Sequence, residues 1–182
     1  MAGVRLPSVR PALTAFNTAA DEDLRMRLAS CCAAESWVER VLGGRPYTQR
    51  VELWAISDAA TAELDDAGLG QALAGHPRIG DRASTHMSGD RVGAWSRQEQ
   101  AGVATAEADI LTALGAANAE YELRFGHVYL VCASGRSAVE LLDVCRARLD
   151  NDPTTERGVV LDELAKINRL RLEKLLSEAR VA

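Results

Sequence analysis

Helical periodicity runs through nearly all of this chain, and a single short stretch favours extended structure. That stretch is Val128-Tyr129-Leu130-Val131-Cys132, an apolar run rich in residues that prefer strands. A lone strand has no partner for its backbone groups, so we predict a buried extended segment or the entry to a helix rather than a sheet. The chain is therefore expected to be all-α, with one domain over residues 1–182 built as a bundle of several helices.

The composition agrees with a helical bundle around one core. A chain of 182 residues is long enough for one well-buried core and short for two. Aromatic residues make up only 4% of it, and Ala and Leu, which lose little freedom in a helix, dominate the apolar set. An irregular lead-in is predicted over 1–15, followed by two helices within about 19–41. Further helices are predicted at about 51–62, from 63 or 65 to 74, from 96 onwards, at 105–124, at 137–148 and at 154–178. The helix at 51–62 is expected to bury the side that carries Val51, Trp54, Ala55 and Ala62.

Charge and hydropathy exclude several classes of function. The formal net charge is −5 and no block of Lys and Arg is present, which argues against nucleic-acid binding. No apolar run approaches the length of a membrane span, and no signal-peptide pattern follows Met1. We therefore expect a cytoplasmic protein that binds neither nucleic acid nor membrane.

The region 75–95 is the longest loop-like stretch, and loops of this length in a compact domain are usually functional or disordered. It begins with His76-Pro77-Arg78-Ile79-Gly80. A histidine before proline favours extended backbone, and imidazole exchanges protons near neutral pH, so His76 is either a proton-transfer group or a structural residue at the loop start. His76, His86 and Asp81 match no ligand spacing of a metal site, so no metal is predicted.

The segment Ser96-Arg97-Gln98-Glu99-Gln100 has the spacing of a capping box at a predicted helix start. Ser96 and Glu99 are then structural caps. The same helix end would offer free N–H donors and a favourable field for a bound carboxylate, with the Gln100 amide beside them. Both interpretations are compatible with each other.

Arg171 is the least expected residue of the last predicted helix. Val160, Leu164, Ile167 and Leu175 share one apolar face at 100° per residue, and Arg171 lies in the middle of it. A guanidinium on a buried face needs an anionic partner. It is either part of an internal salt bridge, for instance with Glu99 or Asp143, or a clamp for an anionic substrate.

These segments, in this order, resemble the 2-oxo-4-hydroxy-4-carboxy-5-ureidoimidazoline (OHCU) decarboxylases of uric acid degradation. The resemblance covers about residues 12–178. It is carried by His76–Gly80, by Ser96-Arg97-Gln98-Glu99-Gln100-Ala101-Gly102, by Asn118 with Tyr121 and Arg124-Phe125-Gly126, by Arg148-Leu149 with Asn151-Asp152 and Glu156, and by Lys166–Leu172. Each element alone is weak, and five in register are specific.

The resemblance implies an all-helical, cofactor-free enzyme, usually a homodimer, that converts OHCU into (S)-allantoin and carbon dioxide. It implies His76, Glu99 and Arg171 as catalytic residues, with Glu99 and Gln100 contacting the ureido and ring groups of the substrate. The mechanism that we expect from this has Glu99 orienting His76 and the ureido N–H groups, and Arg171 positioning an anionic or carbonyl part of the substrate. The substrate-binding residues that it implies are Pro77, Ser96, Arg97, Gln98, Gln100, Tyr129, Leu130, Val131, Cys132 and Ala133.

The sequence departs from the family pattern in two places. Arg78 stands where many relatives carry aspartate, and His127-Val128-Tyr129 stands where many have Phe-Pro-Phe. Two other functions stay open on the residues alone. One is a helical interaction domain that uses the 75–95 loop to bind a partner, and the other is a small hydrolase of purine catabolism in which His76 activates water.

Overall fold

A computed structural model describes residues 10–80, 91–103 and 106–178. Within these ranges the protein has nine α-helices and no strand, which confirms the all-α prediction. The helices are α1 (Arg10–Thr18), α2 (Asp21–Cys31), α3 (Glu35–Gly43), α4 (Arg50–Ala62), α5 (Asp66–Ala74), α6 (Arg91–Glu99), α7 (Ala108–Phe125), α8 (Ala138–Arg148) and α9 (Pro153–Glu178), with a 3₁₀ turn at Ala101–Val103. No helix of the described ranges is long and apolar enough to cross a bilayer.

Local signals explain the ends of the later helices, where the sequence predictions are close. Ser137 and Glu140 form a reciprocal capping box at the start of α8. Pro153 occupies the first position of α9, where its missing N–H has no helical partner to lose. Gly126 ends α7 with a φ of 77°, in the left-handed region that favours glycine.

Two predictions about the early and middle chain are wrong. Residues 10–15 of the predicted lead-in belong to α1. Helix α6 begins at Arg91, so the predicted loop does not extend to 95, and Ser96 lies in the last turn of a helix rather than at its start. Residues 81–90, including Asp81 and His86, lie outside the described ranges. The physical reason is burial: Trp95 and Gly93 are buried and α6 packs against α2, which outweighs the weak local signals of this stretch.

The apolar face predicted for α4 is also wrong. The buried side carries Leu53, Ser57, Ala60 and Thr61. Of the two buried hydroxyl groups, that of Thr61 has hydrogen-bond partners, whereas that of Ser57 has none within the described ranges. The Thr61 hydroxyl donates to the Ser57 carbonyl at 2.8 Å and accepts from Asn168 at 3.1 Å.

The stretch 128–133 lies between two hydrophobic clusters. The first cluster is formed by α1–α5 and α9, and the second by α7 and α8. Leu130 packs in the first, whereas Tyr129, Val131 and Ala133 pack in the second. Side chains of an extended chain point alternately to opposite sides, so one short segment serves both cores. The predicted buried extended segment is therefore confirmed.

Side chains of neighbouring helices, rather than a partner strand, supply hydrogen bonds to the backbone of this segment. Arg148 donates to the Leu130 carbonyl at 2.7 Å, and the Cys132 N–H donates to the Glu163 carboxylate at 2.7 Å. The Tyr129 hydroxyl donates to the Leu141 carbonyl at 3.1 Å. Buried backbone groups need hydrogen-bond partners, and here helices on both sides of the segment supply them.

Candidate active site

Four parts of the chain meet around one narrow cleft at the junction of the two clusters. They are the turn after α5, the last turn of α6, the extended segment and the middle of α9. The lining residues are His76, Pro77, Ile79, Ser96, Glu99, Gln100, Tyr129, Leu130, Val131, Cys132, Ala133, Ile167 and Arg171. The two motifs that are twenty residues apart in sequence therefore form facing walls of the same site.

The turn His76–Gly80 is fixed from several helices. The Asn118 amide of α7 donates to the Ile79 carbonyl at 2.8 Å, and the Gly80 N–H donates to the Gln100 side-chain oxygen at 3.1 Å. Gly80 has a φ of 84° with the Leu114 side chain close by, so a residue with a Cβ would be strained there. These bonds couple the first motif directly to the second.

The imidazole of His76 is held in one defined state. Its Nδ1–H donates to the Ala72 carbonyl at 2.8 Å, because a carbonyl can only accept. Its Nε2 is buried and has no hydrogen-bond partner within the described ranges. Burial, and next the nearby Arg171 guanidinium, lower the pKa of His76 to about 4. At neutral pH the ring is therefore uncharged, with its lone pair on Nε2.

That geometry corrects the predicted role of Glu99 in orienting His76. The Ala72 carbonyl fixes the ring through Nδ1, whereas the Glu99 carboxylate binds Arg171 and Lys174. Arg171 approaches Glu99 through Nε at 3.3 Å and Nη2 at 3.1 Å. The predicted internal salt bridge between Arg171 and Glu99 is thus confirmed, and the same guanidinium lines the cleft.

The predicted capping box is wrong because Ser96 and Glu99 stand at the C-terminal end of α6. A helix C-terminus presents carbonyl groups and a partial negative charge, so it does not attract an anion. The Ser96 hydroxyl instead accepts from Arg171 at 3.4 Å. The cation that lines this cleft is the Arg171 side chain.

Most sequence-predicted site residues line the cleft, and two do not. Arg97 and Gln98 are exposed on the outer side of α6 and are not among the lining residues. Ile79 and Ile167 line the cleft and were missed, although Ile79 lies within the first motif and Ile167 precedes Arg171 by one helical turn. Within the described ranges, no group of three His, Cys, Asp or Glu side chains is arranged for a metal ion.

An uncharged imidazole with a buried, unbonded Nε2 can accept a proton from a bound molecule. Beside it, a guanidinium of 2% exposure can bind an anionic group of that molecule. The protein is thus all-α, and its cleft brings an uncharged imidazole and a guanidinium together.

The chain belongs to the OHCU decarboxylase family, whose model matches residues 17–173. It is 31% identical over 138 residues to the 2-oxo-4-hydroxy-4-carboxy-5-ureidoimidazoline decarboxylase of Amia calva, covering 75% of this chain and 77% of that protein. It is 27% identical over 148 residues to the uric acid degradation bifunctional protein TTL of Arabidopsis thaliana, covering 81% of this chain. The chain spans only 46% of the length of that bifunctional relative.

Solved structures share the fold. A crystal structure of OHCU decarboxylase in the presence of (S)-allantoin matches with a TM-score of 0.69 and 26% identity, over 87% of this chain and 99% of that chain. A crystal structure of (S)-allantoin synthase matches with a TM-score of 0.65 over 90% of this chain and 53% of that chain. Its identity of 14% shows likeness of fold alone.

Proposed function

We propose that this protein is a carboxy-lyase that converts OHCU into (S)-allantoin and carbon dioxide in uric acid degradation, with no cofactor. The observation that carries the proposal is the position of an uncharged His76, with a free Nε2, in one cleft with the Arg171–Glu99 pair. Family membership and the relatives named above support the same reaction. The substrate carries a carboxylate and a hydroxyl on one ring carbon, which suits a cation and a base side by side.

The proposed reaction needs no external electron acceptor. The bond between the ring carbon and its carboxylate breaks, and carbon dioxide leaves. The electron pair moves toward the neighbouring C=N group, whose nitrogen takes up a proton from solvent. His76 Nε2 accepts the proton of the substrate hydroxyl and returns it to the former imine carbon. This transfer forms the ring carbonyl and sets the handedness of the product.

Arg171 and Glu99 have separate parts in this scheme. The guanidinium holds the substrate carboxylate or an adjacent carbonyl in line with the ring, and Glu99 and Gln100 accept or donate hydrogen bonds at the ureido group. Tyr129–Ala133 form the wall behind the ring. Positioned proton transfer supplies about 10²–10⁴-fold in rate, so orientation and electrostatics supply the rest.

The test is the variant His76→Ala, assayed by circular dichroism at wavelengths where (S)-allantoin absorbs, with freshly generated OHCU. We expect a fall in kcat of about 10²–10⁴-fold with the far-ultraviolet spectrum unchanged. A matched control is His127→Ala, which removes a second imidazole that does not line the cleft. Wild-type rates in His76→Ala would overturn the role of His76.

The same assay separates the two rival functions. A hydrolase would form a ring-opened or amide-cleaved product without carbon dioxide, so trapping of released carbon dioxide distinguishes it. An interaction domain without catalysis has no need for a pocket that joins His76, Glu99 and Arg171, whereas these three residues line one cleft. The homodimer and the cytoplasmic location stay predictions, and sedimentation of the purified protein tests the first.

A further inference from the structure

A second cation, Lys174, contacts the Glu99 carboxylate in addition to Arg171. The Lys174 Nζ lies 3.1 Å from Glu99 Oε1 and 5.9 Å from the ring centre of the buried Trp95. Lys174 follows Arg171 by three positions on α9, so both side chains project to the same side of the helix. Its side chain is 23% exposed, which places the ammonium at the edge of the protein interior.

Among the residues that the structure describes, the charges that contact Glu99 do not balance. One carboxylate faces two cations, and His76 is uncharged at neutral pH because its pKa is lowered to about 4. A neighbouring ion pair, between Arg91 and Glu178 at 3.5 Å, is balanced in itself, and Arg91 contacts the same Trp95 ring as Lys174. A surplus positive charge that is mostly shielded from water is unfavourable unless an anion neutralises it. The surplus therefore suits a ligand with a single negative charge.

Arg171 also keeps capacity for a further bond. Its described partners are Glu99, the Ser96 hydroxyl and the Cys31 carbonyl, which use four of its five N–H groups. The remaining Nη1–H has no partner within the described ranges. If an anion draws the guanidinium toward itself, Glu99 still has Lys174 as a counter-charge.

We propose that Lys174 is a positioning residue that acts through Glu99: it balances the Glu99 carboxylate, so that Arg171 and the surplus positive charge are available to the carboxylate of the substrate. This inference rests on the proposed function, because that reaction starts from a carboxylate and ends with an uncharged product. It follows that Lys174 favours the binding of OHCU and is indifferent to (S)-allantoin.

The experiment compares wild type, Lys174→Met, Lys174→Arg and the control Arg169→Met. Arg169 is a cation of the same helix that pairs with Asp58 away from the cleft. For each protein, KM and kcat are measured with freshly generated OHCU, and (S)-allantoin is measured as a product inhibitor. We expect Lys174→Met to raise KM about tenfold with kcat changed less than about threefold and the allantoin inhibition constant unchanged. Lys174→Arg restores KM, and Arg169→Met behaves as wild type.

Three results would overturn the inference. KM of Lys174→Met equal to that of wild type removes any role of the charge. An equal loss of affinity for OHCU and allantoin shows a merely structural role, as does a failure of Lys174→Arg to restore KM. A wild-type protein that forms no allantoin from OHCU contradicts the proposed function itself, which this comparison detects separately.

Discussion

Two arginines of the described ranges, Arg148 and Arg171, are almost fully buried, and their surroundings differ. Arg148, behind the extended segment, donates to Glu156 through Nε at 2.8 Å and to the Leu130 carbonyl at 2.7 Å. Arg171, at the cleft, reaches its protein partners at 3.1–3.4 Å. Glu156 is also held by Tyr121 and Asn151, so the Arg148–Glu156 pair is enclosed by protein groups, whereas Glu99 and Arg171 line the narrow cleft.

The comparison shows that a buried ion pair does not by itself indicate a functional site. The Arg148–Glu156 and Arg171–Glu99 pairs are alike in burial and charge, and both belong to motifs that carry the family resemblance. What separates them is the satisfaction of their hydrogen bonds. The hydrogen bonds of Arg148 are short and its partners enclose it, which is typical of a structural ion pair. Those of Arg171 are longer and lie beside a cleft, which is typical of a group that can bind a further partner.

The largest expected effect is the loss of stability on removal of the Arg148–Glu156 pair. Arg148→Met leaves Glu156 buried without its cation and the Leu130 carbonyl without its donor, so the free energy of unfolding should fall by about 3–5 kcal/mol. Urea titration measures this value. Arg25→Met is the control, because Arg25 pairs with Glu39 at 2.6 Å with both side chains about half exposed, and should cost no more than about 1 kcal/mol. Equal losses in both variants would contradict the structural role of Arg148.

The cleft should add a dependence of stability on pH through His76. Its pKa is about 4 in the folded protein, against 6.5 as the ordinary value. Between these values the unfolded chain binds a proton that the folded protein does not. This contribution to stability is therefore complete above pH 6.5 and is lost as the pH falls toward 4, by about 3 kcal/mol. The measurement is the difference in unfolding free energy between wild type and His76→Asn from pH 7 to pH 4, and parallel curves would contradict the prediction.

A smaller change in stability is expected from Arg171→Met than from Arg148→Met. Glu99 keeps Lys174 as its partner, so the unfolding free energy should fall by only about 1–2 kcal/mol. Activity should nevertheless drop about 100-fold in kcat/KM, which corresponds to about 2.7 kcal/mol of transition-state stabilisation. Allantoin formation and urea titration are measured on the same preparation. A loss of stability as large as that of Arg148→Met, with activity retained, would make Arg171 a structural residue.

Helix ends were predictable where a local chemical signal sets them. The helix ends at Ser137 with Glu140, at Pro153 and at Gly126 depend on the backbone and side chains of these residues alone. They can therefore be predicted without knowledge of the tertiary structure. The Ser96–Glu99 pair has the same spacing as Ser137–Glu140 but lies at the other end of its helix. Its side chains bind Arg171 and Lys174, which lie more than seventy positions away in the sequence. A local sequence pattern cannot predict partners at that separation.

The sequence by itself determined the all-α class, the extended segment, the family and the unusual place of Arg171, since each depends on periodicity or on residues near one another in the chain. Only the tertiary structure decided which arginine faces a cleft, which carbonyl orients His76 and that Lys174 joins Glu99. It also decided that α4 buries Ser57 and Thr61. The reason is that burial and hydrogen-bond partners depend on which helices meet, and the energy of a charged or polar side chain depends chiefly on those partners.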